Sequence, residues 1–567
     1  MPEYLAPGVY IEETSFRSKS IEGVSTSTTA FVGPARRGPV GGTPELLTSV
    51  ADFERIYGGV GSLSRGSSEE RNYLALAVRA YFENGGSRLY VARVFQATSD
   101  TDTGVASKVV SGAGGSEVKL VARFPGRAGN GSVTFREAAA EISGSAIGRL
   151  SIGTTMLVPD TDPADSVLVR LGASGWVTDA GAAAATPTAG KVVTLSVTAA
   201  DADGNVRTWD GLGYDKLHPL YVGSVLTANP TRRADALTQW VSLSIGSSVT
   251  TGALRSALVG TTLASIQSLS GGNDGAQAPA AAFTAALATL EAVDDVSIVA
   301  APGSSEYTDA AGIRAALISH VEKRGLYRVA VLDSAADDAV SDIRGTRGGI
   351  DSDRVALYYP WVTVSNPLAS PGDAREPREI NVPPSGAICG IYARNDVERG
   401  VWKSPANEVV RGAIRLERDV SFGENEVLNP LGVNCLRYFP GRGYRVWGAR
   451  TATSDPEWKY LSVRRYFNYL EGSVERGIQW AVFEPNGPAL WSNVRETISS
   501  FLHNEWRQGA LLGETAREAF FVRCDLSTMD QNDLDNGRLV CLIGVAVVKP
   551  AEFVIMRIGQ KTASARE

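Results

Sequence analysis

The sequence predicts an α+β multidomain protein. A discontinuous α/β domain holds a βαβ unit and is interrupted by a mostly β insertion; a C-terminal α/β domain follows, with extended arms at both termini. Three observations predict this. Two apolar strand segments, Val296 to Ala301 and Tyr327 to Leu332, flank a helical pattern from Asp309 to Arg324, a βαβ unit that implies a parallel sheet. From about Gln96 to Ser270 the composition shifts to Gly, Ala, Ser, Thr and Val, in short alternating segments broken by turn clusters. Near the C-terminus a long amphipathic helical pattern is followed by strand-like runs. At 567 residues the chain exceeds the size at which one core keeps growing, so several domains are expected.

Residues 1–22 read as an arm. Pro7-Gly8 precedes Val9, Tyr10, Ile11 and Glu12, a β-prone segment too short to bury itself against neighbouring sequence. On the residues alone, a frayed terminus and a strand that completes another subunit's sheet stand level. Residues 23–95 begin the α/β domain, with strands at Ser27 to Gly33 and Arg88 to Phe95 and helices at Ser49 to Tyr57 and Asn72 to Glu83. Residues 96–271 form the insertion, with strands at Ser132 to Glu137, Val167 to Leu171 and Lys191 to Thr198. The α/β domain resumes over 272–455, where Phe283 to Val293 is an Ala-rich helix and Arg354 to Val364 reads as one strand.

Residues 456–550 form the C-terminal domain. Pro488 can open a helix because its missing N–H costs nothing in the first turn. Leu490, Trp491, Val494, Ile498, Phe501, Leu502 and Trp506 recur at three- and four-residue spacing, while Asn493, Arg495, Glu496, Asn504 and Arg507 fall on other faces. Gly509 stops the helix. Phe520 to Cys524 is a short strand. Leu539 to Val548 is almost wholly apolar and predicts a strand covered on both faces. Lys549-Pro550 breaks it. Within the closing arm, 551–567, Phe553, Val554, Ile555, Met556, Arg557 and Ile558 make a last strand.

The composition excludes several classes. The net charge of −7 is spread without any run of five like charges, so no nucleic-acid stripe or polybasic membrane segment is present. The N-terminus lacks a basic region followed by an apolar one, and the longest apolar run is too short to span a bilayer, which predicts folding in the cytoplasm. Cys389, Cys435, Cys524 and Cys541 are far apart with no C-x-x-C, so buried free thiols are expected rather than zinc or a disulfide framework. His218, His320 and His503 lie in no zinc or hydrolase motif. Phe124 to Gly131 has three glycines but no following Lys-Ser/Thr and reads as a turn. The Asp-x-Asp pairs at Asp100/Asp102, Asp160/Asp162, Asp201/Asp203 and Asp351/Asp353 need more oxygen ligands to hold a cation, and a hairpin turn explains Asp201 to Asn205 at less cost. No catalytic, cofactor or metal residue is assigned.

Three runs carry a resemblance: Trp480 to Leu502 (WAVFEPNGPALWSNVRETISSFL), Ser527 to Ile555 (STMDQNDLDNGRLVCLIGVAVVKPAEFVI) and Tyr4 to Gly33 (YLAPGVYIEETSFRSKSIEGVSTSTTAFVG). They are similar to the contractile tail sheath family of phages and phage-derived injection systems. Glu83 to Val94, Pro383 to Asn407 and Arg445 to Arg465 extend the likeness. The resemblance implies a structural, non-enzymatic subunit that stacks with its own copies as six-fold rings around an inner tube protein and contracts to drive that tube through a target envelope. Baseplate and tail-terminator or cap proteins are the further partners; nucleic acid and direct membrane insertion are not implied. It favours strand exchange for Val9 to Glu12 and Phe553 to Ile558, and places the C-terminal domain against the tube. Asn493, Arg495, Glu496, Asn504 and Arg507 are then the candidate tube-facing residues. Two other classes stay open on the residues: a soluble enzyme using the βαβ pocket, and a non-contractile surface array protein.

Overall fold

The computed structural model describes residues 20–66, 68–159, 166–372 and 376–557. The described residues divide into two compact units, one within 27–394 and 405–455, the other within 20–26, 395–404 and 456–557. The fold is mixed α/β with several sheets.

In the first unit an eight-stranded sheet runs in the order Leu46–Leu47, Leu89–Arg93, Thr29–Gly33, Ile298–Ala300, Val329–Asp333, Val355–Tyr359, Val433–Phe439, Gly443–Val446. The contacts from Leu89–Arg93 through Val433–Phe439 are parallel, and the two outermost are antiparallel. Strands at the sheet's centre are buried on both faces, which is why Thr29–Gly33 and Val355–Tyr359 read as unbroken apolar runs. One sheet therefore takes strands from both sides of the stretch 96–271. Local chemistry starts its helices: Ser49 accepts a hydrogen bond from Asp52 N (3.1 Å) ahead of Val50–Tyr57, and Asn72 accepts from Ala75 N (3.2 Å) ahead of Tyr73–Glu83. The Ala280–Thr289 and Ala310–Val321 helices close one face of the sheet through Phe283, Leu287, Ile313, Leu317 and Val321. The Ser385–Arg399 helix approaches Tyr73–Glu83 so closely that a Cβ on Gly386 would come within 2.6 Å of the Ala77 Cα.

The expected single strand over Arg354 to Val364 is two strands. Val355–Tyr359 stays in the large sheet, whereas Val362–Ser365 pairs antiparallel with Glu379–Val382 and Ala413–Leu416 in a separate three-stranded sheet. Pro360, between them, has no N–H to donate to a continuous ladder.

The strands between Ser107 and Ser268 build sheets of their own. The larger has seven strands, with Ala189–Ala200 paired along its whole length to Ser132–Ser143. The smaller has three, Ser107–Ser111, Val118–Ala122 and Val241–Ile245. They enclose a core that includes Phe135, Leu195, Val197, Tyr214 and Leu243. Asp201 to Asn205 turns Ala189–Ala200 into Val206–Leu212, a hairpin. Asp201 accepts from Asp203 N (3.0 Å) and Asn205 N (2.8 Å) and forms an ion pair with Arg37, while Asp203 pairs with Arg36, whose Nε donates at 3.1 Å. Two guanidinium groups thus sit where a cation would have to bind. Asp102 is likewise engaged by Gly104 N (2.8 Å) and Asn273 Nδ2 (2.9 Å), and Asp351 by Ser454 N (2.8 Å). Asp160 and Asp162 lie outside the described residues.

Candidate functional site

Two places follow from the sequence: the carboxyl edge of the βαβ unit, and the surfaces of the unit that contains residues 456–557. At the first, Ala301, Ser304, Arg314, Leu317 and Asp333 line a crevice of about 20 Å³, room for roughly one water. Asp333 is turned inward to the Ser385–Arg399 helix: Ser385 N donates to one carboxylate oxygen (2.7 Å) and Ser385 Oγ to the other (2.6 Å). Burial raises the Asp333 carboxyl to about 7 against the pull of these donors. Its hydrogen bonds go to the helix start, and a nucleotide has no space beside it. Among the described residues no three His, Cys, Asp or Glu side chains cluster as metal ligands, and no helix is long and apolar enough to cross a membrane.

The other unit is built on two long helices, Leu461–Gly477 and Pro488–Arg507. Leu490, Trp491, Val494, Ile498, Phe501 and Leu502 are buried, with Trp506 half-buried beside them, in one core with Tyr466, Leu470, Leu511 and Cys524. Asn493, Glu496, Asn504 and Arg507 are exposed and Arg495 is half-buried. The helix therefore presents the expected polar face to solvent.

The Leu461–Gly477 helix escapes the sequence reading because its inward face is charged. Arg465 is buried and donates to both oxygens of Asp396 (2.9 and 2.6 Å) and to Thr26 O (3.0 Å). Arg464 is also buried; it bonds Glu471 (2.8 Å) and lies 4.2 Å over the Trp458 ring. Tyr469 and Tyr466 hydroxyls donate to the two oxygens of buried Glu505 (2.9 and 3.2 Å). Burial raises the Glu505 carboxyl, and the two hydroxyls oppose that rise.

Both terminal segments have their roots in this unit. Ile21 is buried in the core, Val24 N donates to Ser473 Oγ (3.0 Å), and a Cβ on Gly477 would come within 2.5 Å of Ile21. Val9, Tyr10, Ile11 and Glu12 lie outside the described residues. At the other end Glu552 lies 3.4 Å from the Tyr460 hydroxyl, which donates to it, and 3.8 Å from Lys459 Nζ. Beyond Glu552, Phe553, Val554, Ile555 and Met556 are 71–82% exposed and lie in no strand, as does Arg557; Ile558 lies outside the described residues.

The expectation of a doubly covered strand over Leu539 to Val548 is not met. Only Leu542–Val545 is a strand, and among the described residues its one ladder is antiparallel to Phe520–Arg523, with one added bridge from Leu511 to Val547. Leu542 is 50% and Ile543 37% exposed. The run is apolar, yet within one chain the ribbon has too few strands to cover it.

The comparisons with known proteins bear on the family and the fold. The phage tail sheath protein central domain matches residues 276–452, and the phage tail sheath C-terminal domain matches 453–561. Together the two family models span just over half of the 567 residues. A mixed α/β chain with this pair of domains belongs to the contractile tail sheath family. The tail sheath protein of Vibrio phage KVP40 is 26% identical over 237 residues, covering 40% of this chain and 34% of that one. A putative prophage major tail sheath protein of Pseudomonas aeruginosa (strain UCBPP-PA14) is 26% identical over 269 residues, covering 46% of this chain and 64% of that protein. The chain thus matches from a third to under two thirds of the length of these two relatives. Among solved structures, the anti-feeding prophage helical sheath in its contracted state aligns over 99% of this chain and 100% of that one, with a TM-score of 0.54 and 22% identity. The sheath tail protein of Listeria innocua aligns over 94% and 97%, with a TM-score of 0.55 and 13% identity. These two likenesses concern the fold.

Proposed function

We propose that this protein is the structural subunit of a contractile tail sheath: copies of the chain stack as hexameric rings around an inner tube and contract to drive that tube through a target cell envelope. The observation that carries the reading is the pairing of an unfinished ribbon with an unplaced apolar segment. Phe520–Arg523 and Leu542–Val545 form two strands where stable sheets need three or more, and Phe553 to Met556 expose four large apolar side chains with no strand to join. Each supplies what the other lacks, but as neighbours in one chain they stay apart; a second copy satisfies both by strand addition. Residues 1–22 take the same role at the other end, with Val9 to Glu12 as the exchanged strand. Extended connections keep their main-chain hydrogen bonds while globular faces repack, which suits subunits that slide without separating. A gain of a few kcal/mol per subunit, summed over many coupled copies, drives the stroke without nucleotide hydrolysis.

In this reading Asn493, Arg495, Glu496, Asn504 and Arg507 face the inner tube. Baseplate and terminator or cap proteins bind the ends of the stack, and the particle is assembled in the producing cell's cytoplasm. The 20 Å³ crevice speaks against the enzyme alternative.

Electron microscopy of the purified, tag-free protein at rising concentration tests the proposal, alone and with its tube protein. Hollow helical tubes with six-fold symmetry are expected. Flat lattices without a second, shorter state would favour the surface-array reading, and a monomer that stays monomeric with tube protein present overturns the sheath assignment.

A further inference from the structure

Two cysteines that the assembly reading does not use face each other at the end of the ribbon. In the ladder Phe520 lies opposite Val545 and Arg523 opposite Leu542. One step further in the same register, Cys524 lies opposite Cys541. The kind of pair follows from the hydrogen bonds. Ala546 N donates to Ala519 O at 2.8 Å, and these residues are opposite in that register, so 519/546 is a hydrogen-bonded pair. Pairs alternate along an antiparallel ladder, which makes 521/544 and 523/542 hydrogen-bonded and 524/541 non-hydrogen-bonded. Residues in such a pair have Cα atoms about 4.5 Å apart, inside the roughly 4.4–6.8 Å that a disulfide spans. The two chain segments stay together past the last strand residues: Thr528 Oγ1 donates to Val540 O (2.8 Å). The thiols themselves are close enough to share a hydrogen bond, and none of the four cysteines is in a disulfide.

We propose that Cys524 and Cys541 are a disulfide-forming pair, reduced while the chain folds and joined on exposure to a disulfide oxidant such as oxidised glutathione. Cys541 is half-buried and Cys524 fully buried, so the oxidant meets Cys541 first. The Cys541 thiolate attacks one glutathione sulfur, breaking the glutathione disulfide and releasing one thiolate. Cys524 then attacks the Cys541 sulfur and expels the second. One disulfide is reduced to two thiols as two thiols are oxidised to one disulfide, and the two cysteine protons pass to the released glutathione. Burial raises the Cys541 thiol to about 12, which keeps its thiolate scarce and the exchange slow, on the order of minutes to hours. The cross-link fixes the register of a ribbon that otherwise has only two short strands; a one-residue slip would turn every side chain to the opposite face. The pairing does not depend on the sheath reading.

The test uses the full chain with oxidised glutathione at mildly alkaline pH, followed by digestion without reduction and mass spectrometry. One cross-link, Cys524 to Cys541, is expected with the loss of two hydrogens, while Cys389 and Cys435 remain thiols. Hydrogen exchange at the ribbon amides should slow by about tenfold or more and recover on reduction. In Cys541→Ser the link and the slowing should both disappear. A stable glutathione adduct on Cys541 with no cross-link, two unmodified thiols after prolonged treatment, or slowing that persists in Cys541→Ser overturns the proposal.

Discussion

Asp333, His320 and Arg465 are polar side chains held inside the protein, and each carries a prediction. The Asp333 carboxyl sits at about 7 instead of 3.8, so the folded state holds its proton where the unfolded chain has released it. Its contribution to stability is present below the unfolded value and is lost as pH rises through the folded one. Denaturant unfolding of wild type and Asp333→Asn between pH 4 and 8 should show wild type losing about 1–3 kcal/mol relative to the variant. His320 runs the other way. Burial, then the neighbouring Arg328, lowers it to about 4 from 6.5, and Arg328 Nη1 lies 2.8 Å from its Nε2. Its contribution is full above 6.5 and falls away as pH drops through 4, which His320→Gln should flatten in the same titration. Arg465→Met leaves the Asp396 carboxylate buried beside an apolar chain. It should cost about 3–5 kcal/mol in chemical denaturation, and Asp396→Asn in the same background should recover part of it.

At the scale of elements, what the sequence makes legible depends on whether one chain decides the outcome. The Pro488–Arg507 helix was readable because its apolar stripe is buried by its own unit, and Ile498→Ala should cost about 2–5 kcal/mol in stability by denaturant melt. Glu496→Ala and Arg507→Ala on the exposed face should stay within about 0.5 kcal/mol. The Leu461–Gly477 helix was not readable, since Arg464, Arg465 and Asn468 stand where an apolar stripe should be: Arg464 is held by Asn468 and Glu471 of the same helix, and Arg465 by Asp396 and Thr26, far away in the sequence. Arg354 to Val364 was read as one strand because apolar periodicity is blind to Pro360 passing the chain from one sheet to another. Leu539 to Val548 misled in the opposite sense. Its composition announces cover on both faces, and the chain supplies too little of it. Of the candidate surfaces, the polar helix face is exposed as read, Phe553 to Arg557 lie in no strand where one was expected, and the buried network around Glu505 had no sequence signal beyond isolated polar residues within apolar periodicity.

At the scale of the whole molecule, the anchoring of the terminal segments sets the expected effects of truncation. Removing residues 1–20 leaves Val24 and its bond to Ser473 in place, so the protein should fold with unchanged circular dichroism yet fail to build long tubes in electron micrographs. Normal tubes from that truncation would rule out strand exchange at this end. Removing residues 553–567 should likewise spare the fold, since Phe553 to Met556 are exposed, and should prevent tube growth.

The open ribbon has one more consequence, for how the subunit survives before it is used. A strand edge with no ladder among the described residues, beside exposed Phe521, Leu542 and Ile543, is a template for any extended chain, correct or not. If copies polymerise through this edge, as proposed, ordered growth and disordered clumping draw on it alike and compete in time. On the proposed function, order then requires that subunits be released no faster than a growing end absorbs them. A pool that outruns its nucleus should precipitate, and the precipitate should be rich in intermolecular β-structure.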